Sequence, residues 1–186
     1  IIPRLLMLAA WLGTSLPNEP SSSNRLELEN GQLASLFRWI SIKGHLVINL
    51  EGMITGYTFA PANVDERDVA PEITENIHGL LGADKGYLRP SLKEYYKFQY
   101  VDLQTPLRKN MPDSRSQESM RLLMRARRKI ETVIGQLTDR FNIQKVRARD
   151  LWHLSHRFIR KILSHTVCVV MNKKCGYSPI QFEKLI

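Results

Sequence analysis

Cysteine is nearly absent from this 186-residue sequence, which contains only Cys168 and Cys175. With no second pair to complete a zinc site, we interpret these two residues as unrelated small apolar side chains. Long apolar runs are also missing, since no stretch approaches the roughly 20 residues that a transmembrane helix needs. Both absences favour a protein of the reducing cytoplasm that has no membrane partner.

Positive charge is in excess and is unevenly placed. The net charge is +9, and residues 107–186 hold 18 Lys and Arg against 6 Asp and Glu. The preceding residues are slightly acidic. A basic C-terminal half indicates a polyanionic partner, most simply nucleic acid. The alternative is a solvated basic surface that has no dedicated partner.

Hydrophobic periodicity and turn residues predict a mixed α/β domain over residues 41–186. Strands are predicted at 45–50, 54–60, 79–83 and 99–105, and the first two form a hairpin. Helices are predicted at 63–77, 90–97, 118–141 and 150–171. This order predicts a mixed sheet with helices packed on its faces and with two long helices at the C-terminal end.

Residues 1–40 are left unassigned by the same criteria. Pro17, Pro20 and three consecutive serines are typical of a loop or linker. Residues 1–13 are apolar and resemble a weak signal peptide, but no clear cleavage site follows them. We therefore expect a loop-rich segment here and build no function on it.

Asp84 stands out because it follows the predicted buried strand 79–83 and precedes a Lys-Gly turn. A carboxylate at the mouth of a buried strand, beside a glycine that gives the backbone room, is well placed to hold a metal ion. The alternative is that Asp84 caps the helix that follows, since aspartate is a favoured N-cap residue.

Glu131 lies at the edge of the apolar face of the predicted helix 118–141. Gly135 and Thr138 are small and leave space above its carboxylate. The alternative is that Glu131 pairs with Arg127 or Arg128 at helical spacing, in an exposed arrangement that contributes little to stability.

Several motifs together resemble one known family, the DDE-class transposases of bacterial insertion sequences. They are LLGADKGY at 80–87, LQTPLRKNM at 103–111 and RRKIETVIGQL at 127–137, together with KGHLV at 43–47 and PANVD at 61–65. Their order is specific, although no single motif is. The resemblance covers the C-terminal part of the catalytic domain, from about residue 43 onward.

The resemblance implies an incomplete RNase H-like fold with the two long C-terminal helices. It also implies cleavage and strand transfer at double-stranded DNA ends through two Mg²⁺ ions, with Mn²⁺ as a substitute, held by three acids. Asp84 matches the second acid of the family and Glu131 matches the third. The basic residues implied to face DNA are Lys85, Arg108, Lys109, Arg125, Arg127, Arg128 and Lys129. Target DNA, self-association and a place on the bacterial nucleoid are further expectations.

The sequence departs from the family at the first acid, which is an Asp on the strand before the hairpin. No Asp precedes Asp65, and the upstream glutamates Glu19, Glu27 and Glu29 lie outside any β-rich stretch. With two of three metal ligands, catalysis by this chain alone is in question. A non-catalytic DNA-binding transposase remnant is therefore the alternative function.

The pair His153 and His156 is spaced for a metal site on a helix, but no acid or thiol clearly completes it. We interpret the pair as solvated or DNA-facing. The neighbouring Trp152 is predicted to lie in the core.

Overall fold

The computed structural model describes residues 6–17, 39–107, 112–146, 148 and 150–184, and for 6–17, 39–41 and 184 the description covers the backbone. The strands are β1 (Leu6–Pro17), β2 (Trp39–Asn49), β3 (Ile54–Pro61), β4 (Gly79–Ala83) and β5 (Val101–Gln104). The α-helices are α1 (Glu66–Ile73), α2 (Pro90–Phe98), α3 (Gln117–Asp139) and α4 (Leu151–Lys174), and a 3-10 turn over Lys85–Tyr87 follows β4. The predicted order of elements after residue 43 is confirmed.

The five strands form one mixed sheet in the order β3-β2-β1-β4-β5. Strand β2 is antiparallel to β1 and β3, whereas β1, β4 and β5 are parallel to one another. An antiparallel hairpin arm beside a parallel three-strand unit, with the helices following, is the RNase H-like arrangement. The predicted fold class is confirmed, including the two long C-terminal helices.

The structure differs from the sequence prediction at β1, which lies within the segment expected to be loop-rich. Residues Leu6–Pro17 form the central strand of the sheet, paired with β2 on one edge and β4 on the other. An inner strand carries a continuous apolar run rather than an alternating pattern, so periodicity does not distinguish it from other apolar segments. We propose that the domain predicted over 41–186 includes this strand.

Two apolar cores cover the two faces of the sheet. In β2, Leu46 and Ile48 pack with α3 and α4, and the intervening Val47 packs on the other face with α1 and α2. In β4, Leu81 and Ala83 belong to the α1–α2 side. Because side chains alternate along a strand, the next residue, Asp84, is directed towards α3.

Hydrogen bonds at the termini define where three of the helices begin or end. Ser116 accepts a hydrogen bond from the Ser119 N–H at the start of α3 (3.2 Å), and Asp150 accepts one from the His153 N–H at the start of α4 (2.8 Å). Helix α1 ends at Ile73, short of the predicted residue 77. At its end the Thr74 N–H donates to the Pro71 carbonyl (3.3 Å), and the Thr74 hydroxyl donates to the Ala70 carbonyl (2.7 Å).

Candidate nucleic-acid interface and acidic site

Asp84 lies at the carboxyl end of β4, beside the central strand. The parallel register pairs Leu8 with Ala83, so the next residue of β1, Ala9, runs alongside Asp84. Asp84 also caps the 3-10 turn, because its Oδ1 accepts a hydrogen bond from the Lys85 N–H (2.8 Å). The capping alternative considered from the sequence is therefore observed, and it leaves the second carboxylate oxygen outside the cap.

Glu131 lies on α3, next to the core residue Ile130 and on the side of the helix that faces solvent. Its Oε1 accepts a hydrogen bond from Arg127 Nε (3.0 Å), which is the helical pairing considered from the sequence. Apart from the adjacent residues and backbone of its own helix, no atom of the described part of the chain lies within 4 Å of the place where a Cβ on Gly135 would stand. The space above the carboxylate is therefore open on the Gly135 side.

Arg127 joins the two acids. Its Nη1 lies 3.8 Å from Asp84 Oδ1 while its Nε binds Glu131. The side chains of Arg127, Asp84 and Glu131 are 38%, 53% and 58% exposed, so solvent screens both ion pairs and they contribute little to stability. The fold thus brings together two acids that are distant in sequence, with one guanidinium between them.

The side chains around Asp84 and Glu131 do not supply all the ligands of the metal site that the family resemblance implies. Strand β1 contains neither Asp nor Glu, and its residue alongside Asp84 is Ala9. Among the described residues, no three or more His, Cys, Asp or Glu side chains group so that they could hold a metal ion. Two carboxylates that share an arginine do not fit a two-metal centre, which needs more oxygen ligands than they supply.

Helix α3 carries four of the seven basic residues predicted to meet DNA. Arg125 and Arg128 are exposed, and neither guanidinium has an ion-pair partner in the part of the chain that the structure describes. Lys85 is exposed beside Asp84. These three side chains and Arg127 stay DNA-contact predictions, whereas Arg108 and Lys109 lie outside the described residues.

Lys129 has a structural contact that the sequence did not indicate. It is half-buried, and its ammonium group donates a hydrogen bond to the Leu50 carbonyl in the turn between β2 and β3. This bond fastens the hairpin to α3. Its predicted role in DNA binding would therefore compete with a contact inside the protein.

A buried polar pair behind Asp84 was not predicted. The rings of His45 and Tyr87 are fully buried, and His45 Nδ1 lies 3.5 Å from the Tyr87 hydroxyl. Burial lowers the pKa of His45 and raises that of Tyr87, so both are neutral at pH 7. Because Tyr87 closes the 3-10 turn that begins at Asp84, the His45–Tyr87 pair anchors this turn. In the sequence, the one feature that could have indicated the pair is a histidine among the apolar residues of a strand.

The histidines of α4 lie apart from this site. His153 Nδ1 is 2.7 Å from Asp150 Oδ2, and the Trp152 ring contacts the rings of both His153 and His156. Trp152 is 65% exposed, so its predicted place in the core is wrong. It stands two residues, about 200° around the helix, from the core residue Leu154.

The comparisons with known proteins agree with the fold described above. Residues 31–151 match the family model "Transposase DDE domain", and the chain belongs to this family. No curated protein matches it.

A solved structure has a similar fold: the cryo-EM structure of piggyBac transposase in a synaptic complex with hairpin DNA, with a TM-score of 0.53 and 10% identity. The match covers 97% of this chain and 51% of that one, so this chain spans about half the length of its structural relative. The family match thus identifies the chain as a member of the transposase DDE-domain family, and the structural match shows a similar fold.

Proposed function

We propose that this transposase chain binds the double-stranded ends of an insertion sequence along the exposed face of α3. The observation that carries the proposal is that Arg125 and Arg128 have no ion-pair partners among the described residues, on the helix that also carries Glu131. Guanidinium groups suit phosphate oxygens, and each phosphate contact releases counterions. Binding is therefore expected to weaken steeply with salt.

Asp84 and Glu131 are proposed as the catalytic residues and metal ligands that the chain retains from its family. Their approach to each other around Arg127 supports this assignment. A third carboxylate is missing from β1, and Mg²⁺ or Mn²⁺ would compete with the Arg127 guanidinium for the other two. We therefore propose that the chain alone binds DNA without cutting it.

Fluorescence anisotropy with a labelled duplex at several salt concentrations tests the DNA-binding proposal. Arg125→Gln/Arg128→Gln should lower the slope of log affinity against log salt by about 1.8, at roughly 0.9 for each phosphate contact. The matched control is Lys93→Gln/Lys97→Gln, which removes the same charge from the exposed side of α2. Equal slopes for the two variants would contradict the proposal.

Cleavage and strand transfer at insertion-sequence ends form the second candidate function, favoured by the meeting of Asp84 and Glu131. A nicking assay on a supercoiled plasmid carrying the terminal repeats, with Mg²⁺ or Mn²⁺, separates the two candidates. Nicking that is lost in both Asp84→Ala and Glu131→Ala would establish cleavage by this chain. No nicking, with salt-dependent duplex binding retained, is the result expected for binding alone.

The remaining expectations concern the surroundings of the protein. The proposed partners are terminal-repeat and target DNA and a second copy of the chain, and the proposed location is the bacterial cytoplasm at the nucleoid. None of the helices in the described ranges is long and apolar enough to cross a membrane.

A further inference from the structure

A concave surface lies at the connection between α3 and α4, and neither Asp84 nor Glu131 lines it. It encloses about 410 Å³ and is lined by Lys145, Val146, Arg157, Arg160, Lys161 and Ser164. We refer to it as the connection cavity. Four of its six lining residues are basic and none is acidic, which is the composition of an anion site rather than of a metal site.

The chain that forms the connection cavity is fixed in place. Ile143 is fully buried, and its N–H donates to the Leu137 carbonyl at 2.9 Å. From the other side, the Lys161 ammonium group donates to the Phe141 carbonyl. Asn142 makes the reversal after α3 with φ +49°, a left-handed conformation that asparagine tolerates. The cavity is therefore built on backbone that is pinned to both helices.

Helix α4 carries no negatively charged side chain that could neutralise this basic surface. The 24 residues of the helix include five Lys and Arg and no Asp or Glu. Like charges gathered on one surface repel each other, and a bound polyanion removes that cost. Of the anions that arginine recognises, phosphate presents several oxygens to more than one guanidinium at once.

We propose that the connection cavity binds phosphates of the nucleic-acid backbone, as a contact separate from the α3 face. Arg140, at the end of α3, lies 12 residues beyond Arg128, or about 18 Å along the helix axis. The cavity begins beyond Arg140, so it and the α3 face meet different phosphates. The inference extends the proposed DNA binding and can fail independently of it.

The experiment measures duplex binding by the full chain, using Lys145→Gln/Arg160→Gln. Both side chains are exposed, so the folded state should keep its thermal midpoint. Loss of two phosphate contacts should weaken binding roughly tenfold or more at 0.1 M salt and lower the salt slope by about 1.8. Inorganic phosphate is a second probe: it should shift the amide NMR signals of residues 143–146 in the wild type and leave them unshifted in the variant.

Two parallel variants make the result specific. Lys93→Gln/Lys97→Gln removes the same charge from α2, and Arg125→Gln/Arg128→Gln removes it from the α3 face. If the connection-cavity variant keeps wild-type affinity and slope, or loses no more than the α2 variant, the inference is overturned. If it loses binding while the α3 variant does not, the inference stands and the α3 proposal fails. A wild type without any duplex binding overturns both.

Discussion

Arg127 lies between Asp84 and Glu131, with Nη1 3.8 Å from Asp84 Oδ1 and Nε 3.0 Å from Glu131 Oε1. One guanidinium thus supplies counter-charge to two carboxylates that the fold brings together from a strand end and a helix. A divalent cation drawn to these acids would have to displace it. The arginine is also exposed enough to meet a DNA phosphate, so it is placed to serve either partner.

Replacement of Arg127 by glutamine is expected to distinguish its pairing with the two acids from contact with a DNA phosphate. The free energy of unfolding should change by less than about 1 kcal/mol, because both ion pairs are exposed. The salt slope of duplex binding should fall by about 0.9 if Arg127 meets one phosphate. Urea unfolding and anisotropy titrations measure the two quantities; an unchanged slope would remove Arg127 from the DNA contacts.

Ala9→Asp is expected to strengthen divalent-ion binding. The pairing of Leu8 with Ala83, continued by one residue, brings position 9 alongside Asp84, so we expect the variant to add a third carboxylate near the existing two. The readout is Mn²⁺-induced broadening of the Lys85 amide NMR signal, which should begin at a lower Mn²⁺ concentration than in the wild type. Ala9→Asn is the matched control, since it adds a side chain of the same size without charge. Equal broadening in the two variants would contradict the placement of the missing acid.

Replacement of glycine by alanine is expected to have opposite effects on stability in the β2–β3 turn and in α3. Gly52 has φ +85°, and a Cβ there would clash with Ile180 Cγ2, so Gly52→Ala should destabilise the fold by roughly 2 kcal/mol or more. A Cβ on Gly135 meets open space inside a helix, so Gly135→Ala should stabilise it by about 0.5–1 kcal/mol. Urea unfolding of both variants measures the difference, and a stabilising Gly52→Ala would contradict the described turn.

Acid should destabilise the protein through His165. Its Nε2 lies 3.0 Å from Gln136 Oε1 in a fully buried site, and burial lowers its pKa to about 4. As the pH falls below about 6.5, the unfolded chain binds a proton on this ring, whereas the folded chain does so only near pH 4. The free energy of unfolding should therefore fall by up to about 3 kcal/mol across this window.

The measurement for His165 is urea unfolding at pH 7, 5.5 and 4.5. His165→Gln removes the titrating ring and should flatten this part of the pH dependence. His45, whose pKa burial also lowers, remains in the variant and should leave a smaller slope of the same sign. An equal pH dependence in the variant and the wild type would show that His165 does not carry the effect.

Lys129 and Arg128 are neighbours with different expected roles. Lys129→Gln loses the hydrogen bond to the Leu50 carbonyl and should cost about 1 kcal/mol of folding free energy, with little change in the salt slope. Arg128→Gln should change the slope and leave stability unchanged. Urea unfolding and anisotropy titrations at several salt concentrations distinguish the two variants. A changed salt slope in Lys129→Gln together with a loss of stability in Arg128→Gln would reverse the two assignments.

The helices and the hairpin follow from sequence because their signals are local. The spacing of Ile130, Val133 and Leu137 predicts α3, and Asp150 predicts the start of α4. Strand β1 escapes prediction because an apolar run without alternation fits several structures. Its place in the sheet depends on pairing with β2 and β4, which are distant in sequence.

The resemblance to a family predicted Asp84 and Glu131 as the two acids, whereas their positions relative to each other are known only from the folded structure. Spacing alone shows that Arg127 can reach Glu131, four residues away on one helix. Its approach to Asp84 depends on how α3 packs on β4, which no local pattern gives. The burial of His45 and the exposure of Trp152 also depend on which helix faces are covered.

Whether DNA binds along α3 can be measured from the arginine Nε–H NMR signals of the full chain during titration with a short duplex at low salt. Binding along α3 predicts that the signals of Arg125, Arg127 and Arg128 shift together and return when salt is added. Shifts confined to other arginines, with these three unchanged, would show that DNA does not bind along α3.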